Sequence, residues 1–248
     1  MIQEISLQDP AVFKTIMAML CIFVGCFIRS TIGFGLAVVS APLLYQISHA
    51  YVPGPIILIA LLLSLINALT FKSKLSLQGL GLAVLGRIPG SLCGAMLLLF
   101  IHGKALSVLI GVIVLVAVGI SLLPIKIQPN PFRLTIAGFF SGLFGTSASI
   151  GGPPMALLLQ HQEANTIRAN LSAYFLISCV ISLAILIPLG HFGMEHLLIS
   201  LPLLPAGLAG YAVAMRAIKI IPTHSVRMAS LTICTISGVT AIVSAFLD

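Results

Sequence analysis

Charged side chains are scarce in this sequence. They make up 7% of the 248 residues, while 59% of the residues are hydrophobic, and an ordinary soluble domain carries about 25% charged residues. A soluble protein of this length exposes too much surface to be so apolar. Intrinsic disorder and nucleic-acid binding are excluded for the same reason, although the net charge is +7. The composition predicts an all-α polytopic membrane protein that has the lipid bilayer, and no nucleic acid, as its partner.

Acidic residues are the scarcest charged type. All five lie at the termini or in predicted loops: Glu4, Asp9, Glu163, Glu195 and Asp248. The absence of a carboxylate deep in an apolar run weighs against a proton relay through Asp or Glu. The sequence also lacks a P-loop, C-x-x-C spacing and any histidine pair with convincing metal-ligand spacing. We therefore expect no metal, no cofactor and no enzymatic activity.

Six apolar segments are long enough to cross a hydrocarbon core of about 30 Å as single helices. They are residues 53–70, 78–101, 105–123, 170–189, 197–215 and 228–247. Two further segments, residues 11–46 and 131–160, are interrupted by glycine and proline. In a helix interior glycine costs about 1 kcal/mol and proline about 3 kcal/mol, so neither segment is a straight helix. Non-helical backbone at membrane depth must be buried in protein or line a wet cavity.

The two broken segments resemble each other. The first breaks near residues 29–35 and the second near residues 142–154. A constant offset of 112 aligns three positions of each, namely Gly25, Gly33 and Pro42 with Ala137, Gly145 and Pro154. Three apolar spans follow each broken segment. The chain is therefore predicted to consist of two repeats, residues 1–125 and 126–248, which form one membrane domain.

The basic residues distinguish two topologies. If each broken segment crosses the membrane once, the lysines and arginines outside the spans divide five against five. If each is a hairpin that returns to its starting side, one side holds eight of them: Lys72, Lys74, Lys126, Arg133, Arg168, Arg216, Lys219 and Arg227. The other side holds only Lys14 and Lys104. The positive-inside rule favours the hairpins, with the basic side cytoplasmic and both termini on the non-cytoplasmic side. A hairpin plus three crossings inverts the second repeat relative to the first.

Arg29 and Arg87 are the only charges within the predicted membrane interior. A charge at this depth costs at least about 2.5–3.5 kcal/mol, and no carboxylate in a span can pair with either one. The structural explanation is snorkelling or hydrogen bonding to carbonyls freed at the breaks. The functional explanation is a cavity that binds an anion, and it is favoured for Arg29, which we place directly on the first break. For the same reason we expect Arg87→Ala to reduce anion binding and transport less than Arg29→Ala does.

Hydroxyl groups and glycines cluster at both breaks. The returning arm of each hairpin begins there, so its N-terminal N–H groups and positive dipole end point into the membrane. Hydroxyls at such positions either cap helices or bind substrate. We predict an anion-binding site made of Arg29, Ser30, Thr31, Gly33, Gly35, Arg87, Gly145, Thr146, Ser147, Ser149, Gly151 and Gly152.

Three glycines recur at every fourth position of the span 78–101. They are Gly86, Gly90 and Gly94. Small residues at this spacing let the backbones of two membrane helices approach closely. We predict that they form a packing surface and not part of the binding site.

These breaks resemble the signature motifs of the sulfite exporter TauE/SafE family. The first motif is FIRSTIGFG at residues 27–35, which runs on to Ala41 and Pro42, and the second is GFFSGLFGTSASIGGPP at residues 138–154. Many members are shorter or richer in glycine where this chain has Ala148, Ser149 and Ile150. The resemblance extends over nearly the whole chain. It implies a multi-pass exporter of sulfite, sulfonates or related small anions in the bacterial inner membrane.

The function we expect is secondary transport of a small anion, with export of sulfite or an organosulfonate. A membrane potential supplies about 2.3 kcal/mol per charge per 100 mV and drives anions out of a negative cytoplasm. Ion-coupled uptake of a carboxylate or sulfonate through the same site is the alternative. A non-transporting receptor or an intramembrane enzyme is a third possibility, without a nucleophile–base pair to support it. The sequence leaves open which anion moves, in which direction, with which coupling ion and in what oligomeric state.

Overall fold

The protein is described by a computed structural model for residues 10–76, 79–122, 128–160 and 162–247. These residues are 84% helical and include no strand, which confirms the all-α prediction. The helices are α1 (Pro10–Ile32), α2 (Leu36–Ile47), α3 (Gly54–Thr70), α4 (Leu80–Phe100), α5 (Lys104–Leu122), α6 (Pro131–Ala148), α7 (Gly152–Leu159), α8 (Ala164–Leu186), α9 (Met194–Ser200), α10 (Leu203–Ala217) and α11 (Thr223–Leu247).

Among the described residues, six helices are long and apolar enough to cross a membrane. They are α1, α3, α4, α5, α8 and α11, and α9 with α10 makes a seventh if it is counted as one bent span. Five of them, all except α1, correspond to segments predicted as single spans. The largest displacement of a start is in α8, which begins six residues before the predicted position 170. Gln78 and Leu123, at the edges of two predicted spans, lie outside the described residues.

The segment 197–215 was predicted as one straight helix, and this was wrong. The structure has α9 and α10 there, bent by 45° at a break after Ser200. Pro202 explains the bend, because proline has no backbone N–H to donate to the preceding turn and its ring clashes with the carbonyl four residues earlier. Pro205 is tolerated because it lies in the first turn of α10.

The first broken segment is a hairpin of α1 and α2. The helix α2 runs back along α1, and the Ser40 hydroxyl donates to the Cys21 carbonyl over 2.9 Å. The break is at Gly33–Gly35, where both glycines have positive φ angles of 105° and 113°. Arg29 is therefore not on the break, as the sequence analysis placed it, but inside α1. The helix continues past Arg29 because no glycine interrupts it before Gly33.

The second broken segment consists of α6 and α7. The break is at Ser149–Gly151, and Ser149 has a φ angle of 65°. The Ser141 hydroxyl donates to the Gly151 carbonyl over 2.6 Å, so the chain turns back beside the middle of α6. Each broken segment thus places an irregular stretch of backbone inside the helical bundle.

Glycines bring α4 and α6 into direct backbone contact. A Cβ atom added to Gly86, Gly90 or Gly94 would collide with the carbonyl of Thr135, Phe139 or Leu143 respectively. The glycines of α6 reciprocate, since a Cβ at Gly138 would collide with the Ala83 carbonyl. This geometry confirms the predicted packing surface.

The other extensive contacts between helices also join the two halves of the chain. The helix α10 packs against α1, where Gly210 faces the Phe23 carbonyl. The helices α3 and α8 pack together, and so do α5 and α11. The first helix of each half therefore packs against a late helix of the other half.

The bundle has two distinguishable ends, about 31 Å apart along the 21 residues of α4. At one end Lys74 and Glu163 form an exposed ion pair with a distance of 3.4 Å between Nζ and Oε2. We call this the basic end. At the opposite end the Tyr45 hydroxyl donates to the Gly103 carbonyl over 2.9 Å, and the Ser107 hydroxyl donates to the Ala241 carbonyl over 2.8 Å.

Candidate functional site

A cavity of about 40 Å³ lies where the two breaks meet. A single water needs roughly 10–15 Å³ by this measure, so the cavity has room for a ligand of a few heavy atoms. Seven of the predicted site residues line it, namely Arg29, Gly35, Arg87, Gly145, Ser149, Gly151 and Gly152. The rest of the lining includes Phe34 from the first break and Phe175, Cys179 and Ser182 from α8.

Arg29 reaches this cavity from the last turn of α1. Its side chain is 6% exposed, and Nη2 donates to the Ser64 hydroxyl of α3 over 2.5 Å. The guanidinium carbon lies 4.8 Å from the centre of the Phe175 ring. Among the described residues Nε has no hydrogen-bond partner. Arg29 is thus held in place but keeps donor capacity unused.

Arg87 reaches the cavity from α4 and is more fully bonded. It is 3% exposed, and Nη1 donates to both the carbonyl and the hydroxyl of Ser141 over 2.9 Å. Nη2 donates to the Ser182 hydroxyl over 3.1 Å. The guanidinium carbon is 5.7 Å from the Tyr174 ring centre, and Nε has no partner in the described part of the chain. Arg87 therefore ties α4 to α6 and α8.

The charge of this site is uncompensated by the protein residues that the structure describes. The one ion pair among them is Lys74–Glu163 at the exposed basic end. A buried charge without a partner is strongly unfavourable, and a buried donor without an acceptor adds a further cost. An anion in the cavity would relieve both costs, because it offers a negative charge and several acceptor oxygens to two guanidinium groups at once.

Two helix N-termini line the same cavity, and α2 has backbone N–H groups in its first turn, whereas in α7 Gly152 is followed by Pro153 and Pro154, which have no N–H. The first residue of α2, Leu36, lines it, and so does the first residue of α7, Gly152. Neither helix has a side-chain cap at its N-terminus. A helix N-terminus carries free donors and a partial positive charge, which favour anions. The absence of a Cβ at Gly145 matters here, because one would lie 2.8 Å from Nη2 of Arg87.

A comparison with protein-family models supplies the identity of this architecture. The model of the sulfite exporter TauE/SafE family matches residues 17–241, which is nearly the whole chain. The chain belongs to the sulfite exporter TauE/SafE family. No curated protein and no solved structure matches it significantly.

Membership in the TauE/SafE family makes this chain a multi-pass membrane protein of a transporter family. The family is associated with substrates of the sulfite and sulfonate type, which are small anions. A transporter family is also consistent with the expectation that the chain is not an enzyme. Within the described residues, no three His, Cys, Asp or Glu side chains are grouped so that they could hold a metal ion.

Five predicted site residues of this TauE/SafE protein do not line the cavity. They are Ser30, Thr31, Gly33, Thr146 and Ser147. The hydroxyls of Thr31 and Ser147 donate to carbonyls one turn earlier in their own helices, those of Phe27 and Leu143. The Thr146 hydroxyl lies 2.9 Å from that of Ser182 and so contacts the lining indirectly. Gly33 packs against α8, and the buried Ser30 hydroxyl has no partner in the described part of the chain.

The sequence analysis missed the serines that hold the two arginines. Ser64, Ser141 and Ser182 are buried and accept hydrogen bonds from Arg29 or Arg87. Each is one of several small polar residues in a largely apolar helix, a pattern that does not indicate a binding site by itself. Their functional signal is their position opposite an intramembrane arginine, and it exists only in the folded structure.

Arg168 was also misjudged, because it was counted as a loop residue of the basic side. It lies in the second turn of α8 and is buried, and its Nε donates to the Thr31 carbonyl over 2.8 Å. Nη1 donates to the Asn165 side chain over 2.8 Å. Arg168 thus fastens the C-terminal end of α1 close to the first break. Lys126, another residue in that charge count, lies outside the described residues.

Proposed function

We propose that this protein is a secondary transporter that exports a small sulfur oxyanion, sulfite or an organosulfonate, across the bacterial inner membrane. In this proposal Arg29 and Arg87 bind the anion in the central cavity. The observation that supports it most strongly is that two buried guanidinium groups line one cavity, with no carboxylate paired to either among the described residues. Guanidinium groups bind tetrahedral and pyramidal oxyanions well, because their planar fork offers paired donors.

The size of the cavity supports an anion with few heavy atoms. Its volume of about 40 Å³ suits sulfite or the head of a small sulfonate better than a bulky organic acid. The lining also includes the Phe175 ring, against which an apolar substituent of a sulfonate could pack. The N-terminus of α2 adds backbone donors, and Gly152 at the start of α7 adds one more, since Pro153 and Pro154 have no N–H.

The inverted repeat is part of the same proposal. Contacts between the halves support it, because α6 packs against α4 as α1 packs against α10. The pairs α3–α8 and α5–α11 join positions that are equivalent in the two repeats. We further propose that the basic end is cytoplasmic and that both termini are on the non-cytoplasmic side. Rocking of one repeat against the other would then expose the cavity to each side in turn.

The proposed export needs no coupling ion. A negative cytoplasm repels a bound anion with about 2.3 kcal/mol per charge per 100 mV. The arginines neutralise the anion while it is inside the bilayer, and release becomes favourable when the cavity opens to the outer side. Ion-coupled uptake of a carboxylate or sulfonate would reverse the direction of net flux, so the direction separates the two functions.

The test is a thermal-shift screen of purified protein followed by flux measurements. The ligands are sulfite, sulfate, thiosulfate, methanesulfonate and acetate. A ligand present at 100 times its dissociation constant stabilises the folded state by about 2.7 kcal/mol. We expect sulfite or methanesulfonate to raise the melting temperature, and Arg29→Ala to lose that response while the exposed-residue control Arg133→Ala keeps it. In proteoliposomes with a negative interior, the same anion should leave faster than it does without a membrane potential. Accumulation of acetate in these vesicles would instead support the uptake alternative.

A further inference from the structure

A second cavity of about 180 Å³ lies beside the central one, towards the basic end. Thr31 from the last turn of α1 and Phe34 from the first break form part of its wall, together with Ser121 of α5 and Gln160, which follows α7. Arg227 of α11 also lines it and brings a positive charge. One nitrogen of that guanidinium donates to the Ser121 carbonyl, which orients the side chain at the wall.

Phe34 lies at the boundary of the two cavities. It is the one described residue that lines both of them. On the second break, a Cβ added to Gly152 would lie 3.2 Å from the Phe34 Cβ, so the two breaks are in contact at this point. Phe34 is flanked by Gly33 and Gly35, which both adopt positive φ angles. Glycine populates either sign of φ readily, so neither residue beside Phe34 adds the steric cost of a Cβ to a change of backbone conformation.

Several contacts close the central cavity towards the opposite end. There the Ser149 hydroxyl of the second break donates to the Pro53 carbonyl over 2.9 Å. Ile150 is almost fully buried beside it, and the Phe192 ring packs directly against Gly54. Opening this side requires the separation of a hydrogen bond and two packed contacts, whereas on the basic side Phe34 is the lining residue that the two cavities share.

We propose that the second cavity is an entry vestibule for the small oxyanion and that the Phe34 ring is the partition through which the anion passes into the central cavity. Arg227 attracts the anion to the vestibule, because a positive charge in a low-dielectric recess raises the local concentration of anions. Arg29 and Arg87 then receive it once the ring has moved. This inference rests on the proposed function for the identity of the anion.

Cys179 offers a probe of the passage, because it lines the central cavity beyond Phe34. The starting protein keeps Cys179 and has alanine in place of Cys21, Cys26, Cys93 and Cys234. It is reconstituted in vesicles and exposed from the basic end to an impermeant methanethiosulfonate reagent that carries a sulfonate group, or to a neutral reagent of similar size. The rate of Cys179 labelling is measured, and the melting temperature of each variant verifies that it is folded.

Phe34→Ala should accelerate labelling by both reagents about tenfold, since it removes the partition. The matched control is Phe140→Ala, which removes a ring from the exposed surface of α6 and should leave the rate unchanged. Arg227→Gln should slow the anionic reagent about tenfold and leave the neutral reagent unaffected.

Three results would overturn the proposal that the second cavity is an entry vestibule. They are an unchanged rate in Phe34→Ala, an equal acceleration in Phe140→Ala, and faster labelling from the opposite end. Labelling measures access and not sulfite flux, so it is independent of the substrate. If Phe34 controls labelling but sulfite does not bind, the proposed substrate is rejected and the passage is kept. If sulfite binds but labelling does not depend on Phe34, the passage is rejected and the substrate is kept.

Discussion

Arg87 on α4 donates a hydrogen bond of 3.1 Å to Ser182 on α8, although the two residues are 95 positions apart in the sequence. Arg29 has a corresponding partner in Ser64 of α3. The helices α3 and α8 are those that follow the two hairpins, so each guanidinium is held by a hydroxyl from the helix after a broken segment. Since α3 and α8 also pack against each other, they bring both arginines to one cavity.

The first prediction concerns the role of Arg29 in binding. Arg29→Ala should weaken sulfite or sulfonate binding by about tenfold to a hundredfold, because a charge-assisted hydrogen bond is worth about 1.5–3 kcal/mol. Arg29→Lys should recover only part of the affinity, since lysine keeps the charge but lacks the planar fork. Ligand-induced stabilisation, measured beside expression level, tests both variants. A wild-type ligand response in Arg29→Ala would reject the site.

The second prediction compares the stability of the two arginine variants. Arg87 makes three described hydrogen bonds and Arg29 makes one, so Arg87→Ala should lower the melting temperature more than Arg29→Ala. A loss of about 2 kcal/mol corresponds to a decrease of about 4–8 °C in a protein of this size. The sequence-based expectation that Arg87→Ala is milder concerned anion binding and transport, and it assumed that Arg29 is on the break, whereas Arg29 lies inside α1. Thermal unfolding in detergent measures the difference, and a larger decrease in Arg29→Ala would contradict it.

The third prediction concerns the contact between α4 and α6. Gly138→Ala should destabilise the protein by about 1–3 kcal/mol, because the new methyl group collides with the Ala83 backbone carbonyl. Gly119→Ala in α5 is the matched control, since a Cβ there meets no atom within 4 Å. It should be neutral or stabilising by up to about 1 kcal/mol, because alanine favours the helix. Equal melting temperatures for the two variants would show that the glycine contact contributes nothing.

The fourth prediction concerns the orientation of the chain. Cysteines introduced at the exposed Ser73 and Ser225, in a background without native cysteines, should both react with an impermeant reagent from the cytoplasmic side. A cysteine at Lys104 should react only from the other side. Labelling of positions 73 and 225 on opposite faces would reject the inverted-repeat topology. Asp248, expected on the non-cytoplasmic side, lies outside the described residues.

The fifth prediction concerns pH and the loop between α8 and α9. Burial lowers the pKa of His191 below its usual value near 6.5, and the nearby His102 and His196 lower it further. The unfolded chain therefore binds a proton at His191 more readily than the folded protein does. Stability should decrease as the pH falls from about 6.5 towards the lower pKa of the folded state. Melting temperatures between about pH 7.5 and pH 5.5 should fall less in His191→Gln than in the wild type; parallel curves would contradict the prediction.

Local properties of the sequence were sufficient for much of the fold. Long apolar runs predicted α3, α4, α5, α8 and α11, because a helix that crosses lipid must be apolar along its whole length. Glycine and proline marked both breaks, because they disfavour helix wherever they occur. The bend at Pro202 was missed, since one proline between two apolar stretches does not show whether a helix continues through it or bends.

The candidate site was predictable in its two arginines, in the glycines of the breaks and in Ser149, but not in the serines that hold the arginines. Arg29 and Arg87 are conspicuous in the sequence because a charge in an apolar run is costly in any fold. The hydroxyl residues gave no such signal, because a serine or threonine in a membrane helix has two competing partners. Thr31 and Ser147 bond to their own helices, whereas Ser64 and Ser182 also accept from arginines on other helices. The rotation of each helix and the identity of its neighbour decide between these outcomes. The sequence by itself therefore determined the membrane location and the breaks in the two helical segments, and tertiary packing determined the binding cavity.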